Sequence, residues 1–181
     1  MSKSHRYVAI TVARQAPDKA PMRQLESILT VHIEIPDVEF WIVGDGSEMP
    51  KMIKFIEDNQ MGDYVKLLGS QTNPFKFMKR SDFYLSVSTK EGFNTACQEA
   101  AILGLPVIST DVDGAAELIE MTGVGEVIPN SKEGIVEALP RIFNDDIKLK
   151  SWIDRAKKIS PELLKADRKR RIEEILLKFA H

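Results

Sequence analysis

The densest set of groups able to do chemistry lies in Ser88-Thr89-Lys90-Glu91-Gly92-Phe93-Asn94-Thr95-Ala96-Cys97-Gln98-Glu99-Ala100. Gly92, then Asn94 or Thr95 as candidate N-cap, opens a helical run whose first backbone N–H groups have no partner within the helix. Such a start attracts anions, by about 0.3–1 kcal/mol per exposed unit charge and more when partly buried, and a diphosphate suits it. Glu91 and Glu99 have seven residues between them, one in the loop and one inside the helix. Ionised carboxylates only accept hydrogen bonds, which makes them natural readers of sugar hydroxyls. For Glu91 the competing reading is favourable placement at the positive helix start. Glu99 sits among Ala96, Cys97, Ala100, Ala101, Ile102 and Leu103, where an unpaired charge is costly, so it calls for a partner or a ligand.

Two further loops carry weaker signals. Arg14 and Lys19, with four residues between them including Pro17, make a local anion trap: the guanidinium can fork onto two phosphate oxygens while the ammonium acts as a point charge. Solvated loop cations are the competing reading. Gly44-Asp45-Gly46-Ser47-Glu48 lets the chain turn and approach a ligand closely, or is a tight turn capped by Ser47. It lacks the third glycine of the dinucleotide fingerprint. Ser109 to Leu118 reads as a pocket wall or as a helix start capped by Asp113. His5, His32 and His181 are scattered and receive no role, and Cys97 reads as packed rather than reactive. There is no Ser-His-Asp or Cys-His set, and no His/Asp/Glu cluster with metal-ligand spacing.

These loops need strands to place them. Short apolar runs, Tyr7–Val12, Val38–Val43, Tyr64–Leu68, Phe83–Val87, Pro106–Thr110 and Glu126–Ile128, alternate with helical periods. Consecutive apolar residues such as Phe40 to Val43 indicate strands covered on both faces. Met22, Leu25, Ile28, Leu29 and Ile33 fit one amphipathic helix, and Met49, Met52, Ile53 and Ile56 a second. The pattern predicts an α/β fold: a Rossmann-like, doubly wound parallel sheet with helices on both faces and a ligand beyond the carboxyl ends of the strands. From Ser131 onward three helical patterns follow, with Asn144-Asp145-Asp146 and Ser160-Pro161 as breaks and N-caps. The expectation is one domain over 1–181, with a core at about 7–145 and C-terminal helices at about 146–181.

Composition narrows the classes. With 181 residues, 43% of them hydrophobic, the chain can build one substantial core. A net charge of −2 gives no global field for nucleic acid or an anionic membrane, so any anion must be met locally. The single cysteine excludes an internal disulfide and makes a reducing, cytoplasmic location the default. No signal peptide and no integral membrane segment is legible.

Taken in order, Ala13-Arg14 with Lys19, Val43-Gly44-Asp45-Gly46, Val65 to Gly69 with Asn73-Pro74, the E-x7-E segment, Leu103 to Ile108 and Gly114 to Glu117 resemble the carboxyl-terminal, donor-binding half of GT-B glycosyltransferases, in particular the retaining family 4. The likeness covers roughly residues 8 to 145. It implies that Arg14 and Lys19 hold a diphosphate, Glu91 contacts donor-sugar hydroxyls and Glu99 takes ribose hydroxyls. Gly92, Phe93, Asn94 and Thr95, with Gly44 and Gly46, would complete the donor site. No metal or other cofactor is implied, and a UDP-sugar is favoured as donor. Ala13 stands where the family usually has glycine, a change small enough to tolerate.

The amino-terminal acceptor-binding domain of similar proteins is missing from this sequence, so the chain alone is expected to bind donor but transfer poorly. The implied activity is transfer of a hexose to a glycan or lipid-linked acceptor in polysaccharide or glycoconjugate synthesis. That places the chain in the cytoplasm, with a peripheral membrane location open to the full-length protein. Lys165, Arg168, Lys169, Arg170 and Arg171 read as a solvated or docking face in a last helix packing toward that domain. The alternative is a non-catalytic sugar-nucleotide-binding subunit working with a separate acceptor-binding chain. A third reading, an unrelated Rossmann-like binder or epimerase, rests on fold alone.

Overall fold

The computed structural model describes residues 7–91 and 94–159. In chain order the elements are β1 (Tyr7–Val12), α1 (Pro21–Val31), β2 (Val38–Val43), α2 (Met49–Asp58), β3 (Val65–Gly69), α3 (Phe75–Met78), β4 (Phe83–Ser86), α4 (Thr95–Ile102), β5 (Val107–Thr110), α5 (Ala115–Thr122), β6 (Gly125–Ile128), α6 (Lys132–Phe143) and α7 (Asp146–Ala156). The six strands form one sheet in the order β3-β2-β1-β4-β5-β6, and every pairing is parallel. The order reverses between β1 and β4, which opens a crevice at their carboxyl ends.

Alternation along the strands explains why the runs are apolar throughout. Ala9, Phe40, Leu85 and Ile108 point to the face covered by α1, α2, α6 and α7. Their chain neighbours Ile10, Trp41, Tyr84 and Val107 point to the face under α3, α4 and α5. Phe83 is fully buried between Tyr7 and Phe143, edge-on to both at centroid distances of 5.6 and 5.3 Å. Burying a side chain of that size contributes about 1.5–3 kcal/mol.

Several local expectations are corrected. Ile33 is 85% exposed, not on the buried face of α1. The helix ends at Val31, the amides of Glu34 and Ile35 turn back onto the Val31 carbonyl, and Ile35 fills the core position instead. Neither Ser47, Asn94 nor Asp113 caps a helix through its side chain: α2 follows Glu48, while α4 and α5 follow Asn94 and Gly114 in left-handed backbone conformations. Ser131 and Asp145 do cap, accepting from the amides of Gly134 and Lys148 at 2.9 and 3.0 Å. The third helical pattern, from Ser160-Pro161 through the basic cluster, lies outside the described residues.

Candidate functional site

The crevice is built from the loops that leave β1 and β4. Past β1 the chain is knitted to the β2 loop: the amides of Ala13 and Gln15 donate to Val43 and Asp45, and that of Glu48 donates to Gln15. Gln15 is 1% exposed, and its side-chain amide donates to the carbonyls of Ala13 at 2.7 Å and Val43 at 3.3 Å. This contact explains the glycines. A Cβ on Gly44, whose φ is +122°, would lie 1.9 Å from the Ala13 carbonyl oxygen, and one on Gly46 would lie 2.3 Å from that of Gln15. The close backbone approach expected for a ligand is made here by the chain's own loop.

A 3₁₀ turn, Pro17–Lys19, then carries the Lys19 ammonium across the crevice to the β4 loop. There it meets one oxygen of Glu91 at 2.8 Å, with the Lys19 and Glu91 side chains only 21% and 13% exposed. The other Glu91 oxygen accepts from the Ser88 hydroxyl at 2.5 Å, and Thr110 donates to the Ser88 carbonyl. Asp18 stands 3.5 Å from Lys19 and 3.7 Å from Arg14. Its backbone carbonyl accepts from both the amide and the hydroxyl of Thr89 at 3.0 Å. Arg14, Asp18, Lys19 and Glu91 thus form a set of zero net charge, so the two cations alone are not the bare anion trap that their spacing suggests.

Two hollows flank the end of β1. One, of about 270 Å³, lies at the point where the sheet order reverses and is lined by Lys19, Ser88, Glu91, Asn94 and Thr95. Its floor is polar: Gln24 donates to Thr11, Thr11 to the Leu85 carbonyl, and Tyr84 to the Val12 carbonyl. Burial pushes the Tyr84 phenol well above its ordinary pKa, so it remains a donor. The second, of about 340 Å³, is lined by Arg14, Gly44, Asp45, Ser70, Gln71 and Pro74. The hollows meet at Val12 and Ala13; the second lies within the roughly 300–1,000 Å³ of ligand clefts and the first just below it.

Lys19, Glu91, Asn94 and Thr95 therefore come together, whereas Arg14 and Gly44 line the neighbouring hollow. Gly46 and Glu99 line neither; Glu99 is half-buried on α4, less enclosed than its apolar neighbours suggest. Gly92 and Phe93 lie outside the described residues. Among the described residues no group of three His, Cys, Asp or Glu side chains is disposed to hold a metal ion.

Three features went unread in the sequence. Ser88, three residues before Glu91, was open to reading as its hydroxyl partner. Asp18, between the two cations, was open to reading as their counter-ion. The third is a clasp: Arg23 on α1 donates to the carbonyls of Val87 and Asn130 and to the Asn130 side chain. Asn130 in turn donates to the carbonyls of Thr89 and Asp111. Burial among these carbonyls pushes the Arg23 guanidinium below its ordinary pKa. Nothing local in the sequence pairs residues so distant in the chain.

Strand order and crevice define a Rossmann-type α/β domain. The chain belongs to the glycosyl transferases group 1, whose family model matches residues 2–159. It is 30% identical over 135 residues to the UDP-N-acetylglucosamine–peptide N-acetylglucosaminyltransferase GtfA subunit of Streptococcus pneumoniae, covering 74% of this chain and 27% of that protein. It is 29% identical over 159 residues to the poly(glycerol-phosphate) alpha-glucosyltransferase of Bacillus subtilis, covering 87% of this chain and 24% of that protein. Among solved structures it resembles S. aureus TarM in complex with fondaparinux, alpha-GlcNAc-glycerol and UDP, with a TM-score of 0.75 and 26% identity over 91% of this chain and 36% of that one. The chain spans about a quarter of the length of these curated relatives. Among the described residues no helix is long and apolar enough to cross a membrane.

Proposed function

We propose that this chain is the donor-binding half of a retaining hexosyltransferase of family 4, taking a nucleoside-diphosphate sugar, foremost a UDP-sugar. The observation that carries this reading is the Lys19–Glu91 pair lining one hollow, with Arg14 lining the next and the two hollows meeting at Val12 and Ala13. A ligand crossing Ala13 sets its anionic middle between the two cations. Its sugar then lies toward Glu91, Asn94 and Thr95, and its nucleoside toward Gly44 and Gln71. Glu99 takes the ribose hydroxyls, and the backbone of Gly92, Phe93 and Asn94 supplies donors to sugar and phosphate. As the glycosyl bond breaks, charge grows on the departing diphosphate, and Arg14, Lys19 and the start of α4 stabilise it without reorganisation. In this reading Arg14, Lys19 and the start of α4 meet the diphosphate directly, and donor binding proceeds without a metal.

The acceptor, a glycan or lipid-linked sugar, is bound by an amino-terminal domain or by a partner chain in the cytoplasm, peripherally at the membrane where the acceptor is a lipid. That the pneumococcal relative is a subunit favours a second reading. In it the chain binds sugar nucleotide and works only with its partner.

Calorimetric titration with UDP, GDP and ADP, with and without magnesium, tests the donor site. UDP should bind saturably without metal, and Glu99→Ala should weaken it by about 1–3 kcal/mol, the cost of losing a hydrogen bond to a charged group. Unchanged affinity in Glu99→Ala removes the ribose assignment, and a preference for GDP or ADP reassigns the base.

A further inference from the structure

We propose that Asp18 is a built-in stand-in for the diphosphate: it holds Arg14 and Lys19 in the empty site, and it opposes the bound ligand enough to ease its release. This inference rests on the donor reading above. Of the two carboxylates facing the cations, Glu91 has both oxygens hydrogen-bonded, one to Lys19 and the other to Ser88. Asp18 is not. Its oxygens stand 3.5 and 3.7 Å from Lys19 and Arg14, beyond the 2.7–2.9 Å or so of a charge-assisted hydrogen bond, and its side chain is 45% exposed. A phosphate oxygen that reaches hydrogen-bond distance therefore displaces it from both cations.

The main chain at Asp18 is held in place. Thr89 grips its backbone carbonyl with two hydrogen bonds at 3.0 Å, and Lys19, the next residue, begins the crossing to Glu91. Its carboxylate stays beside the bound anion as a like charge. A charge held in this way lowers the affinity for product and speeds its departure, a step that limits many transferases that close over their ligands. Arg14, with its side chain 73% exposed, depends on Asp18 for its position when the site is empty.

The test is titration of the chain and of Asp18→Asn with UDP and with uridine, at about 20 and 300 mM sodium chloride. Asp18→Asn should bind UDP about threefold to tenfold more tightly at low salt, from the Coulomb energy of a unit charge removed a few ångströms away in high dielectric. The gain should shrink at high salt. Uridine, which carries no phosphate, should bind both proteins alike. Asp18→Glu retains the charge and should stay within about twofold of the original chain, which guards against an Asp18→Asn that folds poorly. UDP binding by the unsubstituted chain that Asp18→Asn leaves unchanged or weakens overturns this inference alone. Failure of the unsubstituted chain to bind UDP overturns the donor reading and this inference with it.

Discussion

Replacing Lys19 by methionine keeps the aliphatic stem and deletes the ammonium that Glu91 holds at 2.8 Å, which makes the pair open to a double-mutant cycle with Glu91→Gln. Both side chains are less than a third exposed, at 21% and 13%, so solvent screens the pair less than a surface bridge. Two unit charges about 4 Å apart attract by about 1 kcal/mol in water and about 4 kcal/mol at an effective dielectric of 20. Asp18 shares the ammonium and Ser88 covers the far carboxylate oxygen, so each partner keeps part of its compensation when the other is lost. The coupling energy should therefore fall at about 1–2 kcal/mol, well above the 0.2–1 kcal/mol or so of exposed pairs. Urea unfolding of the four proteins measures it. In thermal unfolding, Lys19→Met alone should lower the midpoint by about 2–4 °C for each kcal/mol lost in a domain of this size. Free energies that add to within about 0.3 kcal/mol would refute the argument, because independence means that the pair does not form in solution.

Two further outcomes follow from packing and burial. Gly44→Ala combines a φ of +122° with a Cβ placed 1.9 Å from the Ala13 carbonyl oxygen, so it should destabilise the chain by about 3 kcal/mol or more, and a urea midpoint near that of the original would contradict the described loop contact. Burial pushes the Cys97 thiol up to about 12 from an ordinary 9.0, with the Glu91 charge adding to the rise, so the folded chain keeps this proton where the unfolded chain loses it. The resulting stability is present in full below about pH 9 and is lost as pH rises toward 12. Cys97→Ala should therefore show a shallower alkaline decline in its urea midpoint, and an equal decline would refute the burial argument.

The sheet was readable because parallel strands covered on both faces leave uninterrupted apolar runs, as in Phe40 to Val43, and each run lies within one residue of its strand. Ile33 was misread because the helical period continues by coincidence past Val31, while the helix end is fixed by Ile35 turning into the core. The placement of Lys19 and Glu91 in loops that follow strands was visible in the sequence, but their direct pairing was not, since it depends on how two crossovers bring residues 72 positions apart to one crevice. Gly44 and Gly46 announced that backbone comes close, yet whether a ligand or the Gln15 loop comes close is settled only in three dimensions. Asn94 and Asp113 have the residue types of N-caps, but left-handed backbone at Asn94 and Gly114 leads into those helices without a side-chain cap.

The hydrogen bonds of Gln15 and the Arg23–Asn130 clasp divide the rim of the sheet into two plates. One joins the loops leaving β1, β2 and β3 through Gln15 and the amide of Gly44 on the Gly69 carbonyl; the other joins those leaving β4, β5 and β6 through Asn130. The β1 loop belongs to both, tied at Gln15 to the first plate and at Asp18 to the second, so the seam runs through Ala16 and Pro17. Proline fixes φ there and stiffens the joint. Under the donor reading proposed above, a ligand lying across Ala13 would touch both plates and so add a second tie to the one loop that joins them.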